Sequence, residues 1–115
     1  MTVFRMLLAI GWGVLAAHTA VVISREGLDL LPVFFGDITA LTWSGQFNLD
    51  FLLMLALSAV WVAWRHRFSP AGMALGAGAL VGGILFLIPY LLIATRTAKG
   101  DAKSMVLGEQ ELGNR

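Results

Sequence analysis

Two ionisable side chains, His18 and Asp50, stand inside otherwise apolar stretches of this 115-residue chain and are its first candidates for chemistry. A charge inside a hydrocarbon layer is costly enough that an intramembrane imidazole or carboxyl calls for a functional explanation. Asp50 has the chemistry of a general acid or base, with His18 or Tyr90 as its partner. If residues 3–23 and 46–64 form antiparallel helices, His18 falls about one and a half turns before the end of the first and Asp50 about one turn into the second. Tyr90 is expected near the same surface, and Asn48 and Gln46 close by, which would gather these polar groups in one leaflet. Each also has a structural role open to it. Asp50 can cap its helix or meet headgroups, His18 can bond a backbone carbonyl, and Tyr90 can be an aromatic-belt residue.

A lone intramembrane histidine can also ligate the metal of haem or chlorophyll. His66 is expected at the opposite face, so the two histidines of one chain do not make a bis-histidine site. Val14 stands where light-harvesting helices usually carry alanine, and no cofactor is strongly implied. The absence of cysteine excludes disulfides, thiolate zinc sites, iron–sulfur clusters and covalently attached haem. No metal-ligand pair at helical spacing, phosphate-cradling loop or nucleophile elbow is present.

The elements that must position these groups are apolar helices. With 58% hydrophobic and 13% charged residues, the chain departs far from a soluble average of roughly a quarter charged. The expected fold is all-α and integral to a membrane, with three transmembrane helices at about 3–23, 46–64 and 70–94 and a short interfacial helix at about 32–42. Residues 1–96 would form the helical domain and residues 97–115 a polar tail with apolar points at 105–107 and Leu112. Alone, that tail is expected to be mobile unless a neighbouring subunit orders it. The amino terminus imitates a signal peptide, with Arg5 and small residues at Ala16, Ala17 and Ala20, but the apolar run continues to Ile23 and predicts a retained helix.

Ser69 and Pro70 read as an N-cap followed by proline at the first helical position, so the short link at 65–68 forces an antiparallel hairpin. Small residues recur every four positions at Ala9, Gly13 and Ala17, at Ala59 and Ala63, and at Ala74, Gly78 and Gly82. Such stripes let helix backbones approach closely, either within one chain or between chains.

Three spans would put the N-terminus and the 65–68 turn on one side, and the 24–45 loop and the tail on the other. The positive-inside comparison is then nearly tied: Arg5, Arg65 and Arg67 against Arg25, Arg96, Lys99 and Lys103. Two arginines in a four-residue turn favour a cytoplasmic N-terminus in what would be a bacterial inner membrane. The cations are not gathered on one face, so nucleic acid is not an expected partner. A row of polar groups or an inverted repeat, which a transporter would need, is also missing.

The stretch from Trp43 to Ile93 resembles a group of small uncharacterised three-helix membrane proteins. These share an aspartate early in one helix, a tryptophan and a charge at its end, and a glycine-bearing helix ending near tyrosine. The matching positions are Asp50, Trp61, Arg65, Gly82 or Gly83, and Tyr90. That group is in turn similar to transmembrane terpene cyclases, whose intramembrane acids protonate an epoxide or alkene. The resemblance implies Asp50 as a general acid, although those cyclases have more helices and a second acid. The leading expectation is a non-enzymatic accessory or assembly subunit, docked through its small-residue stripes on a larger membrane complex or on itself. The alternative is a lipid or isoprenoid-processing enzyme using Asp50.

Overall fold

The computed structural model describes the backbone of residues 1–114 and the side chains through Glu111. Leu112, read above as an apolar point of the tail, lies outside the described side chains. The elements in order are α1 (Thr2–Glu26), α2 (Leu30–Thr39), α3 (Trp43–Arg65), α4 (Pro70–Gly82), α5 (Ile84–Thr97), α6 (Ala102–Leu107) and a 3-10 segment (Gly108–Asn114). No strand occurs among the described residues, and the molecule is elongated, measuring 50 × 27 × 23 Å.

Two helices, α1 and α3, are long and apolar enough to cross a membrane. At 1.5 Å per residue they extend about 37 and 34 Å. Thr42 caps α3 by accepting a hydrogen bond from the Gly45 amide, and Ser69 caps α4 in the same way from Gly72, with Pro70 in the first turn as expected. Between α3 and α4, Arg67 and Phe68 both take positive φ, which closes the hairpin in very few residues.

The expected third span is not one helix. Residues 70–94 divide at Gly83, whose φ of 56° and ψ of −139° are easily reached only without a Cβ. Descending antiparallel to α3, α4 places Gly76 over Ala59 and Ala63 and brings Gly83 down to the Phe51 and Leu55 side chains. There the chain reverses. Phe86 of α5 folds back onto Gly78 and Gly82, and Tyr90 returns to the level of Trp61 and His66. Two half-length helices of about 20 Å each thus replace one span.

This reversal relocates the tail. Arg5 donates from Nε to the Thr95 hydroxyl at 2.9 Å and from Nη2 to the Thr95 carbonyl, so the end of α5 lies beside the start of α1. Met1, the 65–68 turn and the tail therefore gather at one end, called here the proximal end, whereas α2 and residues 24–42 lie at the distal end. The tail was expected on the distal side and is not there.

Pro89 sits inside α5 and has no N–H for the Leu85 carbonyl four residues earlier. The Trp12 indole supplies the missing donor at 3.0 Å and fastens α1 to α5. At the distal end, Asn48 donates to the Phe34 carbonyl, and Gly45 lets α3 approach the α2 backbone at Asp37 and Ile38. The fully packed apolar core is small: Val62, Ala63, Ala79, Ile88 and Ala94.

Candidate functional site: a polar cluster at the proximal end

Arg65 is 6% exposed at the last turn of α3, a position set by its i, i+4 relation to Trp61. Its guanidinium carbon lies 5.6 Å from the Trp61 ring centroid and 5.4 Å from that of Tyr90. Arginine keeps its charge when buried, and aromatic faces solvate it in part. On α5, Phe86 and Tyr90 are also four residues apart and stack at 6.2 Å, which holds the phenol against the arginine.

The hydrogen bonds form a directed chain. Arg65 Nη1 donates to the Tyr90 hydroxyl at 2.5 Å, leaving the phenolic proton free to point elsewhere. His66 Nε2 lies 2.7 Å from that oxygen, and His66 Nδ1 lies 3.2 Å from Glu109 Oε1. One arrangement satisfies every group: Tyr90 donates to Nε2, and a neutral His66 donates from Nδ1 to the Glu109 carboxylate. If both imidazole nitrogens carried protons, the tyrosine hydroxyl would accept twice and its own proton would lack this acceptor. The chain therefore runs from a buried cation at Arg65 to a carboxylate at Glu109.

The tail completes the site. Arg65 Nε donates to the Met105 carbonyl at 2.6 Å, and Gln110 donates to the Trp64 carbonyl, which also accepts from the Arg67 amide as α3 ends. Gly108, at φ 55°, allows this approach: a Cβ there would stand 2.8 Å from the Arg65 carbonyl oxygen. Asp101 starts α6 by accepting from both the amide and the hydroxyl of Ser104. These bonds, the hydroxyl's first, hold the Asp101 carboxyl below its usual range. The bonds at Met105, Glu109 and Gln110 fasten the tail to the chain's own helices as far as Gln110.

Around this cluster opens a cleft of about 470 Å³, walled by Arg65, His66 and Tyr90, by Ile93 and Lys99 from α5 and its end, and by Glu111 from the tail. Arg65 makes no ion pair with a carboxylate among the described residues, where Glu109 instead lies against His66 Nδ1. Its Nη2 makes no hydrogen bond there either, yet is not fully sealed from solvent.

The residues singled out from sequence are dispersed. Tyr90 stands with Arg65 and His66 at the proximal end, because Gly83 turns α5 back; a straight helix would have carried it to the other surface. His18 and Asp50 are exposed, make no side-chain hydrogen bond among the described residues, and border neither this cleft nor the shallow groove between α1 and α5. Asn48 is spent on α2. The expected pocket of His18, Asp50 and Tyr90 is not assembled. Three His, Asp or Glu side chains do not converge on a metal-sized site among the described residues.

The small-residue stripes divide as well. Ala59 and Ala63 pack on Gly76, while Gly78 and Gly82 receive Phe86. Ala74 is exposed. On α1, Arg5 and Trp12 hydrogen-bond to α5, while Ala9, Gly13 and Ala17 are exposed, with Ala9 at the edge of the groove between α1 and α5 and nothing within 4 Å of a Cβ built on Gly13. No family model, curated protein or solved structure matches the chain.

Proposed function

We propose that the chain is a small integral membrane protein that acts as an accessory or assembly subunit, docking through the outward face of α1. The observation that carries this reading is the bare Ala9, Gly13 and Ala17 stripe. Gly76, Gly78 and Gly82 are used inside the chain, whereas Gly13 has no neighbour and Ala17 is exposed, with Ala9 at the edge of the groove between α1 and α5. A smooth stripe on a lipid-length helix suits a second transmembrane helix, because backbone approach substitutes for a hydrophobic driving force that lipid does not supply.

A bilayer location is supported by what α1 exposes. Val3, Leu7, Ile10 and Val14 are 60–70% exposed along one helix, far more apolar surface than a soluble monomer leaves uncovered. On this reading α1 and α3 span, and α4 and α5 form a re-entrant hairpin whose broken backbone at Gly83 is shielded by α3. The positive-inside comparison then ceases to be tied. Arg5, Arg65, Arg67, Arg96, Lys99 and Lys103 share the proximal end, against Arg25 at the distal end, which favours a cytoplasmic N-terminus.

Use of Asp50 as a general acid finds no such support, since the carboxyl has neither a partner nor an enclosing cavity. The test is extraction in mild detergent, followed by sizing and identification of whatever protein co-purifies. A stoichiometric partner or a homo-oligomer, lost in Gly13→Leu, is expected; a bare monomer overturns the accessory reading. Cysteine labelling checks the topology: positions 2 and 103 should react from the same side and position 37 from the other.

A further inference from the structure

We propose that the proximal cleft binds the phosphodiester headgroup of a glycerophospholipid, with an ammonium-bearing headgroup preferred. The inference rests on the membrane reading above but not on the accessory one.

Arg65 is the starting point. A guanidinium this buried, with a carbonyl, a phenol and two aromatic faces as neighbours, has lost hydration without gaining an anion. Its Nη2 makes no hydrogen bond among the described residues, Arg65 lines the cleft, and Lys99 lines it too, with no carboxylate within ion-pair distance among the described residues. Two unneutralised cations around one cavity call for an oxyanion, and a forked guanidinium suits phosphate oxygens.

The acids in the same wall select among phosphates. Glu109 is engaged by His66, and Glu111 carries a second negative charge into the cleft. A free phosphate carries more than one negative charge at neutral pH and would be repelled by them more strongly. A phosphodiester carries one. Glu111 is left to pair with a cationic headgroup, so that Arg65 and Lys99 take the phosphate and Glu111 the ammonium. Ile93, exposed on α5 at the cleft wall, and Pro89 one turn farther toward the distal end, supply an apolar path for acyl chains.

The test titrates the purified full chain in detergent with dihexanoyl phosphatidylethanolamine, dihexanoyl phosphatidylglycerol and inorganic phosphate, read by the fluorescence of Trp61 and Trp64 beside the site. Saturable binding is expected for the ethanolamine lipid, with phosphatidylglycerol and phosphate each weaker by about tenfold or more, the size of one lost charge-assisted contact. Arg65→Gln should weaken binding by at least about tenfold. Because Arg65 also holds Met105 and Tyr90, Lys99→Gln on the exposed rim carries the test independently of folding and should weaken binding severalfold. Glu111→Gln should remove the preference for ethanolamine over glycerol. Equal binding by wild type, Arg65→Gln and Lys99→Gln, or tightest binding of inorganic phosphate, overturns the lipid site alone. A chain that stays monodisperse without detergent overturns the membrane reading beneath it.

Discussion

The Trp12 indole N–H donates to the Leu85 carbonyl, the oxygen that Pro89 deprives of its intrahelical donor. Two sequence features 77 residues apart, an early tryptophan and a late proline, thus solve one problem. Proline within α5 creates an orphan acceptor, and α1 docks by filling it.

This pairing predicts a coupled effect. Trp12→Phe keeps the ring but removes the donor and should cost about 1–2 kcal/mol, because Pro89 leaves the Leu85 carbonyl no backbone amide four residues on to replace it. Pro89→Ala restores a backbone donor to Leu85. In a double-mutant cycle followed by thermal unfolding in detergent, Trp12→Phe should lose most of its cost in the Pro89→Ala background. Equal costs in the two backgrounds would sink the account.

Among the described residues, Tyr90 alone hydrogen-bonds both Arg65 and His66 through one atom. Tyr90→Phe leaves the stacking on Phe86 intact and deletes the hydroxyl, so the guanidinium loses an acceptor and His66 Nε2 loses its donor. Destabilisation of about 1–3 kcal/mol is expected, with the tail loosened more than the helices. Amide exchange checks this: Met105 to Gln110 should lose protection before α3 does.

Much of the helical layout was legible in the sequence, and the reasons are local. Apolar runs mark α1 and α3, Ser69–Pro70 marks the start of α4, and the four-residue link dictates the hairpin. The reversal at Gly83 was not legible, because residues 70–94 are long and apolar enough for a straight span, and glycine pairs occur inside membrane helices as packing residues. The signal was present in Gly82–Gly83 followed by Pro89, a break and a weak point within one half-helix. Missing it placed Tyr90 at the wrong end and hid Arg65 and His66, which read as turn charges until the tail folds over them. Intramembrane charge drew attention to His18 and Asp50 instead, but cost per residue says nothing about convergence, and in this fold they do not converge.

The tail's attachment should depend on pH at its first turn. Asp101 accepts from the Ser104 hydroxyl and amide, which depresses its carboxyl in the folded state. A depressed carboxyl stabilises the fold above its unfolded value and loses that contribution as pH falls through the folded one. Protection of the Ser104 amide should therefore be constant at neutral pH and decline only below about pH 4, the unperturbed carboxylate range. Asp101→Asn retains an acceptor oxygen but has no titration, so its Ser104 protection should be flat across the same interval. A decline that persists in Asp101→Asn would show that Asp101 is not the controlling group.

Gly76 and Gly13 are both helical glycines and should respond in opposite ways. A Cβ on Gly76 would lie 2.8 Å from the Ala59 carbonyl oxygen, backbone that moves only if α3 and α4 separate. Gly76→Ala should accordingly destabilise the monomer by about 1–3 kcal/mol, outweighing the roughly 1 kcal/mol that alanine gains over glycine in a helix. Around Gly13 there is no neighbour to displace, so a larger residue keeps the monomer intact and gains helix propensity. Gly13→Leu should leave unfolding unchanged or slightly raised while abolishing association, because its side chain holds a partner backbone away. Thermal unfolding and detergent-phase sizing, run on both variants, separate the two roles. If Gly13→Leu unfolds earlier than wild type, the α1 stripe is an internal packing surface, and the docking role assigned to it fails.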